Sequence, residues 1–449
     1  MPRHPRRPVP AARTRWRRWL LLGAPLALAG LYRWQRPLLL TGTGYAAHNA
    51  CAVRHGAGRG DAAADLPPNP LVRLLRVREG GDTAEVGLLG ILCRQRAWYT
   101  PGFGATVARR RPVLPRPVDV PAGANPFTSA PTPVPEPAVE QALARAFGDD
   151  LDPADRAALG TRAVLVVRDG RLVGERYAPG FDAGTPQLGW SMAKSVTNLV
   201  VGRLVQQGVV SLDDADLRPE WAGDARSAIT VRHLLTMTSG LSWDETYALG
   251  TPITRMLYGE EDMASYVASR ELAHEPGSFV QYSSGSTTLL CGILAERSGL
   301  GANLPRALVF APLGLSSAVL ETDGVGTPVG SSYLWATPRD WAAVGQFALD
   351  DGVWHGERLL PEGWMAESVT AVRGGGEQDG NAASWWANLR ADGTLVHADI
   401  PADAYFAQGH DGQWIAVVPS ARLVVVRLGF TPVREDNRVP QLVADLLPR

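Results

Sequence analysis

The most informative stretch of this 449-residue sequence reads Trp190-Ser191-Met192-Ala193-Lys194-Ser195. Lys194 is the only lysine in the chain, and every other basic residue apart from histidine is arginine. An ammonium group loses its proton at an accessible pH, whereas a guanidinium stays charged in proteins. Residues i and i+3 of a helix share a face, so the Ser191 hydroxyl is expected within reach of the Lys194 amine. The spacing therefore predicts an activated serine nucleophile.

A helix is predicted from Ser191 to about Gln207, because apolar residues recur on one face and Gly208 supplies a C-terminal cap. Ser191 then lies at the helix N-terminus, where backbone amides and the helix dipole favour an anionic oxygen. On these residues alone, a serine N-cap followed by an exposed Lys194 is an equally good interpretation.

The first 40 residues carry a targeting signature. An apolar run from Trp19 to Tyr32 is flanked by arginines, namely Arg3, Arg6, Arg7, Arg13, Arg15, Arg17 and Arg18 before it and Arg33 and Arg36 after it. This order predicts an export signal or a short membrane anchor, cleaved or uncleaved, more than a buried core helix. The protein is therefore expected to be anchored in the inner membrane facing the periplasm, or to be secreted to the periplasm.

The composition of the chain indicates which partners and cofactors to expect. The net charge of -1 gives no reason to expect a nucleic acid as partner. Cys51 and Cys93 are expected either to pair in an oxidising compartment or to stay free, and Cys291 is predicted to be a small core residue. The histidines and cysteines show no metal-site spacing, so neither a metal nor another cofactor is expected. The oligomeric state stays open.

Four segments are predicted along the chain. Residues 1–40 form the signal or membrane anchor, and residues 41–112 form a small N-terminal segment with short strand-like runs such as Ala84 to Cys93. Residues 113–136 are rich in proline and predict an extended linker or a wrapping arm. Residues 137–449 form the main domain.

The main domain has strand signals at both ends and helix signals between them. A helix is predicted from about Pro137 to Phe147, and Asp169-Gly170 joins two β-prone runs into a hairpin. Near the C-terminus the runs 414–418 and 423–428 predict a second hairpin. Further helices are predicted from Thr230 to near Gly240 and from Thr337 onward. A sheet covered by helices, an α+β or α/β layered fold, is the expected result.

Two further elements carry chemistry-bearing residues. Tyr282-Ser283-Ser284 precedes an apolar helix, and the Tyr282 phenol is predicted either to share a proton with Lys194 or to be an ordinary half-buried aromatic. Gly409-His410-Asp411-Gly412-Gln413 leads into a strand. There Gly412 would let a substrate approach closely and the Gln413 amide would join that of Ser191 as an oxyanion hole, unless the segment is a simple turn.

Taken in this order, Ser-Met-Ala-Lys, Tyr-Ser-Ser and His-Asp-Gly resemble the three motifs of the serine β-lactamase and penicillin-recognising family. The resemblance covers about residues 137–449. The segments Arg232 to Glu245 and Gly330 to Thr337 look most like class C-related serine hydrolases of the 6-aminohexanoate-dimer (nylon-oligomer) hydrolase branch. The resemblance implies a β-lactamase-like antiparallel sheet flanked by helices plus a helical subdomain, here preceded by the N-terminal signal or anchor helix.

The resemblance also implies residue roles. Ser191 would be the acylated nucleophile, Lys194 and Tyr282 the general acid/base pair, and the Ser191 and Gln413 amides the oxyanion donors. His410 stands where penicillin-recognising D,D-peptidases and most β-lactamases carry lysine. An imidazole is mostly neutral at pH 7 when unperturbed, so it is expected to hold a substrate carboxylate less firmly. Tyr247 is expected to line the pocket or to be an exposed loop aromatic.

These residues predict an exported serine hydrolase that cleaves a small-molecule ester or amide through an acyl-enzyme on Ser191. A β-lactamase or D-Ala-D-Ala carboxypeptidase is the first alternative, and the absence of the usual lysine at His410 counts against it. A non-catalytic wall- or peptide-binding module on the same fold is the second, and the intact Ser191, Lys194 and Tyr282 count against that.

Overall fold

A computed structural model describes residues 13–432, 434 and 436–447, with side chains from residue 26 onward. The arginines before Arg13 lie outside the described residues. The helices are α1 (Arg13–His55), α2 (Pro137–Ala146), α3 (Pro153–Leu159), α4 (Met192–Gln206), α5 (Val231–Leu235), α6 (Pro252–Gly259), α7 (Met263–Ala268), α8 (Ser284–Ser298), α9 (Ala311–Leu313), α10 (Pro338–Leu349), α11 (Trp364–Ser368) and α12 (Val439–Leu446).

The strands fall into one large sheet and four smaller ones. They are β1 (Leu75–Gly80), β2 (Thr83–Leu88), β3 (Leu92–Thr100), β4 (Gly104–Val107), β5 (Thr161–Arg168), β6 (Arg171–Tyr177), β7 (Gln187–Leu188), β8 (Phe279–Val280), β9 (Val319–Leu320), β10 (Leu334–Ala336), β11 (Val353–Trp354), β12 (Glu357–Arg358), β13 (Gly375–Gly376), β14 (Trp386–Ala387), β15 (Tyr405–Gly409), β16 (Gln413–Val418) and β17 (Leu423–Gly429).

The main sheet has six strands in the order β14-β15-β16-β17-β5-β6, and each neighbouring pair is antiparallel. Strands from both ends of the main domain therefore meet at its centre, where β17 pairs with β5. This architecture confirms the expected α+β layered, β-lactamase-like fold and both hairpins. The hairpins form because β-prone runs flank turn-forming residues.

Helices cover both faces of this sheet, and the side-chain alternation of its strands explains why. In β5, Leu165 and Val167 belong to the core that includes α4 and α10, whereas Val164 and Val166 pack with α2 and α12. Successive side chains of a strand point to opposite faces. Because both faces of β5 are apolar, the sheet is buried between two helical layers.

The N-terminal part of the chain forms a second unit, in which α1 packs on the four-stranded sheet β1-β2-β3-β4. Helix α1 runs through residue 40, where the anchor was predicted to end. At Gly44 a Cβ would lie 2.4 Å from the carbonyl oxygen of Tyr258, so only glycine lets α1 pack this closely against α6. In the part of the chain that the structure describes, no helix is long and apolar enough to cross a membrane.

Three local expectations are refined. The predicted strand-like run from Ala84 to Cys93 is two strands, β2 and β3, separated by a turn. The helix from Thr230 ends at Leu235 and not near Gly240, because Met237 adopts a left-handed φ of 59°. Among the described residues, the cysteines are all buried and free.

The proline-rich segment lies against the main domain. The Val118 amide donates to Asn303 Oδ1 at 2.9 Å, and Arg306 Nε donates to the Val118 carbonyl at 2.9 Å. Phe127 is only 2% exposed and belongs to the main core. These contacts are those of a wrapping arm.

Candidate active site

Ser191 lies at the N-terminus of α4, directly after a strained residue. Trp190 has a φ of +49°, a conformation that costs a residue with a Cβ about 1–2 kcal/mol. The Ser191 side chain makes no capping hydrogen bond to its helix, and Lys194 is only 2% exposed. The interpretation of Ser191 as an ordinary N-cap followed by an exposed lysine is therefore wrong.

The Lys194 amine is surrounded by three oxygen atoms. Its Nζ lies 2.8 Å from Ser191 Oγ, 2.9 Å from Ser284 Oγ and 3.0 Å from the Ser331 carbonyl oxygen. Ser284 begins α8 and the other contact comes from the segment before β10, so three separate parts of the chain hold the amine. The expected contact between the Ser191 hydroxyl and the Lys194 amine is present.

The hydrogen-bond partners fix the direction in which a proton moves. Ser284 donates its hydroxyl proton to Glu245 Oε1, so only its lone pairs face Lys194. The Ser331 carbonyl is an acceptor only. A neutral Lys194 that donates to Ser284 and Ser331 has one lone pair left, and that lone pair faces the Ser191 hydroxyl. This is the arrangement of a base next to its nucleophile.

Burial tunes Lys194 for this task. Removal from water disfavours the ammonium form and lowers the pKa of Lys194 to about 8, while the Glu245 carboxylate opposes the shift. At mildly alkaline pH a large share of the protein therefore carries the neutral amine. A group with its pKa close to the working pH is effective in general acid–base catalysis.

Tyr282 contacts the same centre through its ring. The Lys194 Nζ lies 4.7 Å from the ring centroid, and Trp386 stacks on the ring at 5.5 Å. Burial raises the pKa of Tyr282, the negative charge of Glu245 raises it further, and the Ser191 hydroxyl lowers it in part. The phenol is therefore protonated at neutral pH and has a proton that it can donate.

Tyr247 and His410 lie together beside the nucleophile. Their rings stack at 4.7 Å with 11° between their planes, and both rings also contact the indole of Trp190. Burial raises the pKa of the Tyr247 phenol, followed by the negative charge of Glu245, while the nearby Ser284 hydroxyl lowers it. Tyr247 is half-buried and packs against the main core.

Gly412 and Gln413 pack against Arg427 and Gly429 in the structure. A Cβ at Gly412 would lie 2.4 Å from Arg427 Nη1, so this glycine accommodates a buried arginine. The Gln413 side chain exchanges hydrogen bonds with Gly429, at 2.7 and 3.0 Å, and lines a different small cavity from that of Ser191. Gln408 of β15 lines the Ser191 cavity. The oxyanion role of the Gln413 amide stays a prediction.

Two polar groups of the site, Glu245 and Ser284, were not predicted from the sequence as functional groups. Glu245 ends the segment Arg232 to Glu245 that resembles class C-related serine hydrolases, and Ser284 is the last residue of Tyr-Ser-Ser. Besides the Ser284 hydroxyl, Glu245 accepts from the Ser284 amide at 2.9 Å and from Trp243 Nε1 at 2.6 Å. The pair of carboxylates Asp244-Glu245, two residues before Tyr247, was the available signal.

A serine and a desolvated lysine on a helix that packs on this antiparallel sheet define the class of β-lactamase-fold serine hydrolases. The chain belongs to the Beta-lactamase family, whose family model matches residues 142–446. The resemblance inferred from the three motifs is confirmed.

Two curated relatives have related activities in their names. The 6-aminohexanoate-dimer hydrolase of Paenarthrobacter ureafaciens is 28% identical over 228 residues, 47% of this chain and 57% of that protein. Esterase EstB of Burkholderia gladioli is 32% identical over 143 residues, 28% of this chain and 36% of that protein. The aligned regions therefore span less than two thirds of either relative.

Solved structures with this fold include EstCE1, a hydrolase with promiscuous acyltransferase activity, at a TM-score of 0.55 and 19% identity. That match covers 69% of this chain and 98% of EstCE1. A penicillin-binding protein homologue from Caulobacter crescentus matches with a TM-score of 0.53 and 18% identity, over 70% of this chain and 98% of the homologue. Likeness at this identity shows the fold alone.

Proposed function

We propose that this protein hydrolyses an ester or amide bond through an acyl-enzyme on Ser191, with neutral Lys194 as the base. The observation that carries the proposal is the 2.8 Å contact between Lys194 Nζ and Ser191 Oγ, with both N–H groups of a neutral amine directed elsewhere. The names of the esterase and amide-hydrolase relatives support the substrate class.

The reaction follows from these positions. Lys194 takes the hydroxyl proton as Ser191 Oγ bonds to the carbonyl carbon, and the tetrahedral intermediate collapses to the acyl-enzyme. The departing alkoxide or amine takes one proton, either directly from the Lys194 ammonium or from Tyr282, which that ammonium then reprotonates. Water then attacks the acyl-enzyme and gives a proton to the neutral Lys194, which returns it to Ser191 Oγ as the acid leaves.

Intact-mass spectrometry after exposure to a fluorophosphonate, p-nitrophenyl esters, short amides and β-lactams tests this function. We expect one adduct on the wild-type protein and none on Ser191→Ala. Ser195→Ala is the matched control, because Ser195 lies on the same helix and donates its hydroxyl proton to the Ser384 carbonyl at 2.7 Å.

A folded wild-type protein that resists every acylating probe contradicts the proposal and favours a binding module. Faster turnover of β-lactams than of esters moves the substrate class to the first alternative.

We further propose that the N-terminal basic and apolar segment directs this protein out of the cytoplasm. The support is the order of the arginines and the apolar run from Trp19 to Tyr32. Fusion of residues 1–40 to a reporter enzyme that is active only in the periplasm provides the test. Reporter activity that does not depend on these residues contradicts the proposal.

A further inference from the structure

A large cavity lies beside Trp190, the residue before Ser191, between the N-terminal unit and the main domain. Its volume is about 670 Å³, within the range of about 300–1,000 Å³ typical of ligand sites. Helix α1 provides Leu38 and Leu39, the segment after α1 provides Leu71 and Val72, and the loop after Glu245 provides Ala248. The N-terminal unit, in which no site residue was predicted, thus forms much of the wall of the cavity.

The lining is mostly apolar, and among the described residues none of its side chains is an aspartate, glutamate, lysine or arginine. His410 is the single ionisable base among the described residues that line the cavity. Two of its hydroxyl groups are already bonded to the protein, since Thr41 donates to the Leu38 carbonyl at 2.7 Å and Thr254 to the Ala248 carbonyl at 2.9 Å. Such a surface favours a neutral hydrocarbon over a charged group.

The large cavity reaches the residue next to the nucleophile, because Trp190 lines it together with Tyr247 and His410. Ser191 itself lines a separate small cavity. The Tyr247 ring contacts the Trp190 indole, with 6.4 Å between the ring centroids. A substrate carbonyl at Ser191 Oγ would therefore have one substituent directed past the aromatic rim into the cavity.

The close packing of α1 creates this cavity. The Thr41 hydroxyl accepts a hydrogen bond from the Gly250 amide at 3.2 Å, and a Cβ at Gly250 would lie 3.6 Å from the Leu38 side chain. Gln95 of β3 donates to the Tyr258 carbonyl at 3.1 Å and ties the N-terminal sheet to α6. Hydrogen bonds from main-chain and side-chain groups thus hold the N-terminal wall of the cavity against the main domain.

We propose that this cavity binds an unbranched hydrocarbon chain of the substrate, so that the enzyme prefers esters with a medium or long apolar chain. The inference rests on the proposed function of Ser191 and names its substrate class. The volume corresponds to roughly twenty groups of the size of a water molecule, at about 30 Å³ each. A fully buried methylene group raises kcat/KM about fourfold.

The test compares p-nitrophenyl esters from acetate to dodecanoate. For the wild-type protein we expect the ratio of kcat/KM for decanoate to that for acetate to be on the order of 10² or more. Leu71→Trp places an indole in the cavity and is expected to lower this ratio at least tenfold. Leu74→Trp is the matched control, since Leu71 and Leu74 belong to one short 3₁₀ helix (Pro70–Leu74) but Leu74 is 40% exposed to solvent, and its ratio should equal that of the wild type.

A parallel series of alkyl acetates shows whether the acyl chain or the alcohol chain occupies the cavity. Ala248→Trp, in the part of the lining that the main domain provides, is a second filling variant if Leu71→Trp does not fold. A ratio near one in both ester series, or a chain-length gain that both filling variants retain, overturns the inference while ester hydrolysis itself stands.

Direct binding separates this inference from the proposed function. If no ester is hydrolysed, calorimetric titration of Ser191→Ala with dodecanoate still measures the affinity of the cavity for a hydrocarbon chain. Binding that Leu71→Trp weakens at least tenfold, and Leu74→Trp does not, supports the chain site. Equal binding in both variants, or no binding, contradicts it.

Discussion

Ser284 has a single hydroxyl proton, and Glu245 accepts it. This bond turns the lone pairs of Ser284 toward Lys194 and so determines which atoms the amine can donate to. The carboxylate also stabilises the ammonium form, because opposite charges attract. Glu245 is therefore a positioning residue that acts on Ser191 through Lys194.

Glu245→Gln is expected to move the acid limb of the pH–kcat/KM profile to lower pH. Activity requires neutral Lys194, so in the wild type it rises with pH through about 8. Removal of the carboxylate charge lowers this pKa further, and the limb shifts downward by about half a unit to one unit. Asp244→Asn, at the exposed neighbour, is the control and should leave the profile unchanged, and a limb that moves upward contradicts the assigned role.

Lys194→Arg is expected to reduce kcat/KM about 10²–10⁴-fold, because it keeps the positive charge but removes the titratable base. Single-turnover acylation measures the effect directly. Ser195→Ala should retain the wild-type acylation rate, and a Lys194→Arg protein that acylates at that rate contradicts the assignment of Lys194 as base.

Tyr282→Phe distinguishes a proton donor from a base. With the phenol protonated, we expect a loss of about 10²-fold for alkyl esters, whose leaving group requires a proton. The p-nitrophenyl ester of the same acid should lose much less, since its leaving group departs as a stable anion. Equal losses for both esters contradict the role as leaving-group donor.

At the scale of elements, the contact between α1 and α6 depends on the small residue Gly44. Its Cβ would lie 2.4 Å from the Tyr258 carbonyl oxygen, whereas at Gly30 of the same helix a Cβ meets no atom within 4 Å. Glycine lowers helix stability relative to alanine wherever space allows alanine. The two positions should therefore respond to alanine with opposite signs.

Gly44→Ala is expected to destabilise the protein by about 1–3 kcal/mol, because α1 must move away from α6. Gly30→Ala, the matched control, is expected to stabilise it by about 0.5–1 kcal/mol. Urea unfolding measures both changes. Similar shifts of one sign in the two variants contradict the close packing of α1 on α6.

At the scale of the whole molecule, buried polar contacts join the N-terminal unit to the Beta-lactamase domain. The His48 imidazole is hydrogen-bonded to Glu321, which also accepts from the Ala105 amide at 2.9 Å. Thr106 donates to the Thr322 carbonyl at 2.9 Å. Buried polar groups of this kind cost free energy when their partner is removed.

His48→Ala leaves Glu321 buried with one partner fewer and removes the ring that stacks on Tyr333 at 4.0 Å. We expect a loss of about 1–3 kcal/mol in the free energy of unfolding, measured by urea denaturation. His55→Ala, near the end of the same helix, should change it by less than about 0.5 kcal/mol. Equal effects of the two variants contradict a coupling of the two units through His48.

The sequence alone was sufficient for the features that local geometry controls. The spacing of Ser191 and Lys194 is fixed by the helical repeat, and the β-prone runs at both ends of the main domain, with helices between them, predicted a sheet covered by helices. The hairpin at Asp169-Gly170 follows from turn chemistry over a few residues. These features need no knowledge of distant contacts.

Other features depend on which distant segments come together. Glu245 and Ser284 are 39 residues apart, and the cavity joins residues 38–88 to a loop that begins at Tyr247. Such contacts leave no periodic trace, because loop closure and packing between separate units decide them. The sequence thus predicted that Ser191 and Lys194 share one helix face, whereas the folded chain revealed the Glu245 carboxylate beside Lys194 and the mostly apolar cavity beside Trp190.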